Sequence, residues 1–380
     1  MKLSTDRILT THVGSLPRPD DVAKFLLAKE NGDPVDQEAF DTLMRQAVSD
    51  AVAKQVECGI DVVSDGEMSK IGYSTYVKDR VTGFGGDSPR KPNLDVAPYP
   101  EFREMMARLT GVQPFKRPMC VGPIAIKDPE PLRKDIEHHL AALDGSGAAE
   151  GFMNAASPGV IASFLHNDYY PTHEAYIQAL AEVMKEEYEA IVGAGLVLQI
   201  DCPDLAMSRH TGFQDLTDAE FLVQTEMHVE ALNYALENVP ADAARMHICW
   251  GNYEGPHTHD IALEKILSVV LKAKPSAILF EASNPRHAHE WVVWRDAVIP
   301  DEKVLVPGVL DSTSNFVEHP ELVAQRICSF ADIVGRERVI AGTDCGFGTF
   351  AGFGKMDGKI SYAKLQSMAK GAAIASERLW

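Results

Sequence analysis

The sequence lacks any apolar run long enough to act as a signal peptide or to cross a membrane. Its first residues, MKLSTDRILTTHVGS, carry charged and hydroxyl side chains throughout, whereas a secretory signal needs a continuous apolar segment. Internal repeats and low-complexity segments are also missing. We therefore expect a cytoplasmic protein.

Basic residues are scarce relative to acidic ones. The 380 residues include 36 Lys and Arg against 55 Asp and Glu, which gives a formal net charge of -19 at pH 7. Such a chain repels the phosphates of nucleic acids and of anionic membranes. We therefore expect small-molecule partners and neither nucleic acid nor membrane, and the sequence leaves a homo-oligomer open.

Cysteines are few and scattered. In a cytoplasmic chain of this size they are more often metal ligands or buried apolar residues than disulfides. The six cysteines are Cys58, Cys120, Cys202, Cys249, Cys328 and Cys345.

Short β-rich runs alternate with long amphipathic runs, a pattern typical of a parallel sheet covered by helices. Eight runs are predicted as strands: Leu9–Ser15, Asp61–Gly66, Ser157–Ser163, Val197–Asp201, Arg245–Cys249, Ala277–Glu281, Val304–Leu310 and Arg338–Thr343. Predicted helices include Gln37–Cys58, His173–Val192 and Pro320–Val334, each followed by a glycine. This alternation predicts an α/β fold, a single (β/α)8 TIM-type barrel spanning residues 1–380.

The stretch from about Arg80 to Arg117 departs from this alternation, because it is rich in glycine, proline and charged residues. A further apolar run, Met119–Ile126, follows it. We interpret residues 80–126 as an insertion between the second and third strands, and it could form a lid or an entry wall.

Four residues near the strand ends carry side chains that suit a zinc ion. His247 and Cys249 are two apart in a strand and therefore point to the same side. Alone, they could equally be a core histidine and a small buried cysteine. Glu281, however, ends an apolar strand where a carboxylate needs a partner, and Cys345 follows the eighth strand.

Thiolate, imidazole and carboxylate groups are all zinc ligands. We therefore predict one Zn²⁺ per chain, bound by His247, Cys249, Glu281 and Cys345. Asp344 could support a ligand by a hydrogen bond, although a solvated or capping aspartate would have the same sequence. Zinc removes the proton from a coordinated thiol, so the site is predicted to activate a thiol as a nucleophile.

Other polar residues stand at the ends of the predicted strands, where barrel active sites lie. Glu67 and Asp201 are carboxylates suited to an ammonium group, although a solvated turn residue and a helix N-cap are the alternatives. Gly14, followed by Ser15, would allow a ligand to approach the backbone closely.

The combination of these motifs resembles the catalytic C-terminal barrel of the cobalamin-independent methionine synthase family. The resemblance rests on His-x-Cys, a later Glu and Asp-Cys-Gly, and on the segments Thr11–Pro17, Asp65–Glu67 and Leu198–Asp201. It covers nearly the whole chain. It implies a zinc-dependent thiol methyltransferase of methionine biosynthesis, similar to 5-methyltetrahydropteroyltriglutamate–homocysteine S-methyltransferase. It also implies that Gly14, Ser15, Glu67 and Asp201 bind homocysteine.

Several positions depart from the family pattern. Full-length methionine synthases carry an additional N-terminal barrel that this sequence does not contain. In the family, a histidine that acts as acid and base occupies the position of Thr313 in Asp311-Ser312-Thr313. Asp311 and Thr313 are therefore the catalytic candidates here. Cys202 and Met207 occupy positions at which family members carry acidic residues that contact folate. Phe164 occupies the position of a tryptophan that stacks on folate. These departures concern the methyl donor more than the thiol or the zinc.

Three alternatives remain open at this point. The related epoxyalkane:coenzyme M transferases are single barrels that use the same zinc motif on a different thiol. Uroporphyrinogen decarboxylase-like lyases share the predicted architecture but not the metal ligands. A non-catalytic protein that binds zinc or a small molecule is a weaker possibility.

Several histidines follow the later strands without belonging to these motifs. An isolated histidine is weak evidence for a site, so most are interpreted as loop residues. They are His257, His259, His287, His289 and His319.

Overall fold

A ring of parallel strands forms the centre of the computed structural model, which describes residues 1–88, 92–110, 117–352 and 356–380. In chain order the strands are β1 (Leu9–Thr10), β2 (Val62–Ser64), β3 (Phe84–Gly85), β4 (Met119–Cys120), β5 (Glu150–Ala156), β6 (Val197–Asp201), β7 (Ala244–Ile248), β8 (Ala277–Phe280), β9 (Val304–Leu310) and β10 (Ile340–Thr343). Eight of them pair in the order β1-β10-β9-β8-β7-β6-β5-β2, and each pair is parallel.

The remaining gap between β1 and β2 is bridged by local hydrogen bonds. The Asp61 amide donates to the Thr10 carbonyl at 3.2 Å, and the Thr11 hydroxyl donates to the Val62 carbonyl at 3.0 Å. The sheet is thus a nearly closed barrel, which confirms the predicted (β/α)8 fold.

Helices alternate with the barrel strands. They are α1 (Asp20–Asn31), α2 (Gln37–Glu57), α3 (Val77–Arg80), α4 (Pro100–Thr110), α5 (Glu130–Leu143), α6 (Pro158–Phe164), α7 (His173–Gly193), α8 (Asp218–Ala235), α9 (Leu263–Val270), α10 (Trp291–Asp296), α11 (Pro320–Val334) and α12 (Gly358–Leu379). Within the described part of the chain, no helix is both long and apolar enough to span a bilayer.

The predicted third strand, Ser157–Ser163, is wrong. The strand is Glu150–Ala156, and the chain turns into α6 directly after it. The Ser157 hydroxyl accepts a hydrogen bond from the Val160 amide and caps α6, while Pro158 occupies its first turn. Serine followed by proline is a helix-start signal, and the short apolar run behind it resembles a buried strand.

The segment predicted as an insertion lies between β2 and β5. It contributes the antiparallel pair β3–β4, in which Phe84 faces Cys120, and helix α4. Of the apolar run Met119–Ile126, only the first two residues form a strand. That residues 80–126 behave as one inserted unit stays a prediction.

A buried arginine lies inside the barrel. Arg245 donates to the Gln199 side chain at 2.9 Å and to the Thr11 hydroxyl at 3.0 Å, and its guanidinium stacks on Phe152 at 3.7 Å. A separate apolar cluster fills another part of the barrel: Leu9, Val13, Ala277, Leu279, Val304, Val306 and Ile340. The interior is therefore packed, and the open space lies at the strand ends.

Candidate metal centre and substrate cavity

The ends of β7 and β10 bring three candidate metal ligands together. One ligand atom from each of His247, Cys249 and Cys345 lies within 4.8 Å of the other two, and all three residues are buried. The Nδ1 atom of His247 has no hydrogen-bond partner among the described residues. Two sulfurs and one imidazole at this spacing form a donor set of the kind that zinc prefers.

Glu281 lies at the edge of this group and is held firmly. Its Oε1 accepts from the Trp250 amide at 2.8 Å and lies 4.0 Å from the Cys345 sulfur. Its Oε2 accepts from Asn284 and from Arg286, each at 2.6 Å. The carboxylate is therefore oriented by three donors, and one oxygen faces Cys345.

Asp344 supports Glu281 indirectly. Its carboxylate accepts from the backbone amides of Ala282, Ser283 and Asn284 at 2.8 to 2.9 Å. It also accepts from the Asn284 side chain at 2.8 Å, and the same amide group donates to Glu281. Asp344 thus fixes the loop that orients Glu281 and is not a solvated residue.

Electrostatics favour a thiolate at this centre. A hydrogen bond from Cys345 lowers the pKa of Cys249 to about 6, against the opposing effect of burial, and His247 lowers it further. Burial raises the pKa of Cys345 well above its ordinary value. Even without an ion, the two sulfurs share one proton, and Cys249 ionises more easily than Cys345.

A cavity of about 670 Å³ opens above this centre. Several residues predicted as metal or substrate ligands line it. These are Ser15, Glu67, Phe164, Asp201, His247, Cys249 and Cys345.

Glu67 is the unusual acid of this cavity. Its backbone has a φ of 55°, and among the described residues it is the one non-glycine with a positive φ. Its Oε2 atom is buried and lacks a hydrogen-bond partner in the described part of the chain. Burial raises the pKa of Glu67 to about 8, while Lys70 lowers it and Asp201 raises it. A strained, under-bonded buried carboxylate is typical of a ligand-binding position.

Asp201 ends β6 beside Glu67, but its carboxylate has more hydrogen-bond partners. It accepts hydrogen bonds from Asn154 at 3.0 Å and from Gln199 at 3.0 Å. Burial raises its pKa. Cys202 and not Asp201 occupies the N-cap position of the short helical turn that follows, so Asp201 is not a helix N-cap.

Gly14 lies against the side chain of Asn154, and its role in ligand approach stays a prediction. A Cβ atom at this position would lie 2.1 Å from the Asn154 Oδ1 atom, and its φ is 133°. The glycine therefore makes room for a side chain of the protein, while its neighbours Val13 and Ser15 reach the cavity.

Asp311 and Thr313, predicted as catalytic, are not among the cavity-lining residues. The Asp311 carboxylate accepts from the Thr313 amide at 2.9 Å and from its hydroxyl at 2.8 Å. The aspartate therefore closes its own turn. The adjacent Ser312 donates to Asn252 of the cavity wall at 3.0 Å, so this loop reaches the cavity only indirectly.

An aromatic wall was missed by the sequence analysis, apart from Phe164. Tyr73 packs between Phe164 and Phe350 with ring centroids 5.8 and 5.7 Å apart, and Arg117 stacks on Phe164 at 4.8 Å. Asn93 also lines the cavity. Tyr73, Asn93 and Arg117 lie in turns and loops without hydrophobic periodicity, so no pattern in the sequence identifies them.

The architecture and the site define a (β/α)8 barrel with a thiolate-containing candidate metal centre at the C-terminal ends of its strands, the end at which barrel enzymes place their active sites. The sequence model of the family described as "Cobalamin-independent synthase, Catalytic domain" matches residues 8–91 and 146–373. The chain therefore belongs to the cobalamin-independent synthase family, as its motifs predicted.

Curated relatives match along almost the full chain. A methionine synthase from Saccharolobus solfataricus is 26% identical over 376 residues, covering 97% of this chain and 95% of that protein. One from Sulfolobus acidocaldarius is 25% identical over 373 residues, with 97% and 93% covered.

Solved structures agree on the fold. A B12-independent methionine synthase from Shewanella sp. W3-18-1, in complex with selenomethionine, superimposes with a TM-score of 0.72 at 20% identity, covering 98% of this chain and 99% of that chain. A putative vitamin-B12 independent methionine synthase from Listeria monocytogenes gives 0.64 at 17% identity, with the same coverage.

Proposed function

We propose that this chain is a zinc-dependent S-methyltransferase that methylates a homocysteine-like thiol, as a methionine synthase does. The observation that carries the proposal is one cavity that contains both the Cys249–Cys345 pair and the acidic residues Glu67 and Asp201. The family and the methionine synthases among its relatives support the same reaction class.

The residues at the centre fit a zinc ion. His247, Cys249 and Cys345 converge, the buried Nδ1 of His247 is without a partner among the described residues, and Glu281 offers an oxygen 4.0 Å from the Cys345 sulfur. These four residues would hold the ion. When bound, zinc would supply the Lewis acidity that makes a substrate thiol nucleophilic at neutral pH.

Glu67 and Asp201 are proposed to bind the amino group of the thiol substrate. An ammonium group donates three hydrogen bonds, and Glu67 Oε2 is a buried acceptor that lacks a donor among the described residues. Asp201 supplies a second negative charge at the same wall. Together they would position the substrate so that its sulfur reaches the Cys249 side of the cavity.

The aromatic wall is proposed to contact the methyl donor. Phe164 and Tyr73 present apolar ring surfaces, and Met207 lines the cavity without offering a carboxylate. Cys202, the other substituted position, is buried and absent from the cavity lining. A donor smaller or less polar than a folate polyglutamate would lose less binding free energy here, because each missing charge-assisted hydrogen bond costs about 1.5–3 kcal/mol.

The segment 80–126 is proposed to be an inserted wall of this cavity in an otherwise single-barrel chain. Asn93 and Arg117 both come from it and both line the cavity.

Arg117 is also the observation that favours the runner-up, an epoxyalkane:coenzyme M transferase, because a guanidinium suits the sulfonate of coenzyme M.

The test combines metal analysis with turnover. By elemental analysis, purified tag-free protein should hold about one zinc per chain at this centre, and Cys249→Ser or Cys345→Ser should contain about one equivalent less than the wild type. Cys328→Ser, which changes a cysteine on α11, should contain the same amount as the wild type. Each protein is then supplied with homocysteine or coenzyme M and with methyltetrahydrofolate, its polyglutamate, methylated corrinoid or an epoxide.

Methionine formation that depends on Cys249 and Cys345 is the expected result. Micromolar KM with the folate polyglutamate would refute the small-donor proposal while leaving the thiol assignment intact. Alkylated coenzyme M in place of methionine would establish the runner-up, and a zinc content in both cysteine variants equal to that of the wild type would overturn the metal centre.

A further inference from the structure

A second group of potential metal ligands lies outside the set of residues that line the cavity. One ligand atom from each of Asp95, His210 and Asp260 lies within 4.8 Å of the other two. Asp95 belongs to the segment before α4, His210 follows the short helical turn after β6, and Asp260 lies in the loop after β7. The side chains of Asp95 and His210 have no exposed surface, and that of Asp260 is 9% exposed.

The spacing of this group does not fit ordinary hydrogen bonds. The His210 Nδ1 atom is 3.4 Å from an Asp260 oxygen, and its Nε2 atom is 3.8 Å from an Asp95 oxygen. Neither ring nitrogen has a hydrogen-bond partner among the described residues. Two ligand atoms at about 2.05 Å from a tetrahedral ion are separated by about 3.4 Å, which is the spacing observed for His210 and Asp260.

The chemistry of the three groups also suits a cation. The His210 ring is fully buried beside two carboxylates, and neither of its nitrogens has a hydrogen-bond partner among the described residues. A neutral imidazole has one N–H and one lone pair, and both carboxylates facing it are acceptors. The lone pair of the second nitrogen finds no donor among the described residues, and a buried group left in that state is costly.

The two aspartates are held in place by groups on their far sides. Asp95 Oδ1 accepts from the amides of Thr258 and His259, each at 2.7 Å. Asp260 contacts the imidazoles of His257 and His287, each at 3.1 Å. The other nitrogen of each ring faces a second acceptor, the Tyr253 carbonyl for His257 at 3.3 Å and Glu290 for His287 at 2.8 Å. The rings therefore fix the carboxylate as outer partners fix metal ligands.

Arg286 and His287 compete with a metal ion for Asp260. A guanidinium nitrogen of Arg286 is 3.9 Å from Asp260, but the same side chain forms its short contact, 2.6 Å, with Glu281. His287 is likewise shared between Asp260 and Glu290. Among the described residues, these two shared groups therefore neutralise Asp260 only partly.

We infer that Asp95, His210 and Asp260 form a second metal site, which binds a divalent first-row transition ion such as Zn²⁺ or Mn²⁺. Its imidazole and carboxylate donors differ from the sulfur-rich centre at Cys249 and suit ions from Mn²⁺ to Zn²⁺. The ion would join the Asn93–Asp95 segment to the loop from Tyr253 to Asp260. Asn93 and Tyr253 both line the cavity, so the ion would stabilise that wall.

The experiment uses tag-free protein, stripped with a chelator and titrated with Zn²⁺ and, separately, with Mn²⁺. Bound metal is counted after gel filtration for the wild type, His210→Gln, Asp260→Asn and the control His289→Gln, which removes an exposed histidine two residues from His287. His210→Gln and Asp260→Asn should each bind one equivalent less than the wild type, and His289→Gln should bind the same amount.

The second site is separated from the first in a Cys249→Ser, Cys345→Ser chain. With Co²⁺ as the probe, this chain should still bind one equivalent and show no thiolate-to-cobalt charge-transfer band. Circular dichroism checks that each variant is folded, and Asp95→Asn provides a third variant if one of the others is not. Equal metal content in the wild type and in every folded variant of this group would overturn the inference, whatever the cysteine centre binds.

Discussion

Replacing Glu67 by glutamine should have opposite effects on stability and on substrate binding. In the folded protein burial raises the pKa of Glu67 to about 8 from an ordinary value of 4.5. The folded state therefore keeps the proton over a pH range in which the unfolded state has lost it. The stabilising contribution of this group is complete below pH 4.5 and is lost as the pH rises through about 8.

Glutamine keeps the shape of the side chain and does not ionise. The shift in pKa corresponds to a ceiling of about 5 kcal/mol on the free energy of unfolding. Glu67→Gln should therefore unfold at higher urea concentration than the wild type at pH 8 and above, and the gain should shrink towards pH 4.5. Urea titrations at several pH values measure it.

The same substitution should weaken binding of the proposed thiol substrate. Above pH 8, where Glu67 is ionised in the free protein, removing its charge-assisted hydrogen bond to an ammonium costs about 1.5–3 kcal/mol, which raises the KM for homocysteine by about 10- to 150-fold. The KM of the methyl donor should not change. A loss of stability at pH 8, or an effect on the donor KM alone, would refute the reasoning.

Glu187 provides the matched control for stability. It is also a buried glutamate, but it accepts from the Tyr76 hydroxyl at 2.5 Å and pairs with Arg80 at 3.2 Å. Glu187→Gln breaks a satisfied ion pair and should destabilise the protein at neutral pH, because Arg80 is then left with less compensation. The contrast between the two variants isolates the effect of an under-bonded carboxylate.

Three further substitutions test other parts of the site. Asn284→Ala removes the amide that orients Glu281 at 2.6 Å and should lower zinc affinity by about 10- to 100-fold, measured by competition with a chelator. Gly14→Ala places a Cβ 2.1 Å from the Asn154 amide oxygen and should reduce the free energy of unfolding by about 2–3 kcal/mol in urea titrations. Phe164→Trp should lower the KM of an aromatic pteridine donor by about 2- to 10-fold and leave the thiol KM unchanged, because a larger ring stacks more strongly.

The barrel and its strand-end residues could be predicted because both depend on local patterns. Strands that are buried on both faces have short, continuous apolar sequences. The strands Val197–Asp201 and Val304–Leu310 have the predicted bounds. A strand period of two places His247 and Cys249 on one side, and the fold then brings Cys345 to the same rim. Their role as zinc ligands stays a prediction.

The errors have physical causes of a different kind. Ser157–Ser163 was assigned to a strand because an apolar run of this length fits a strand and a short buried helix equally well, and the cap decides between them. Tyr73 and Arg117 reach the cavity from segments distant in sequence. Such convergence depends on loop paths, which a single sequence does not encode as periodicity.

The acidic residues at this rim differ in their hydrogen-bond partners, and this difference distinguishes roles that residue type alone does not. Glu281 has three donors and a fixed orientation, which suits a ligand that must not move. Asp201 has donors on its carboxylate but no cation directly bound to it, while Glu67 has a buried oxygen without any partner in the described residues. A buried acceptor in that state is unfavourable in the free protein, so a donor that arrives with the substrate gains the full interaction. This difference is the physical reason to expect substrate specificity to depend more on Glu67 than on Asp201.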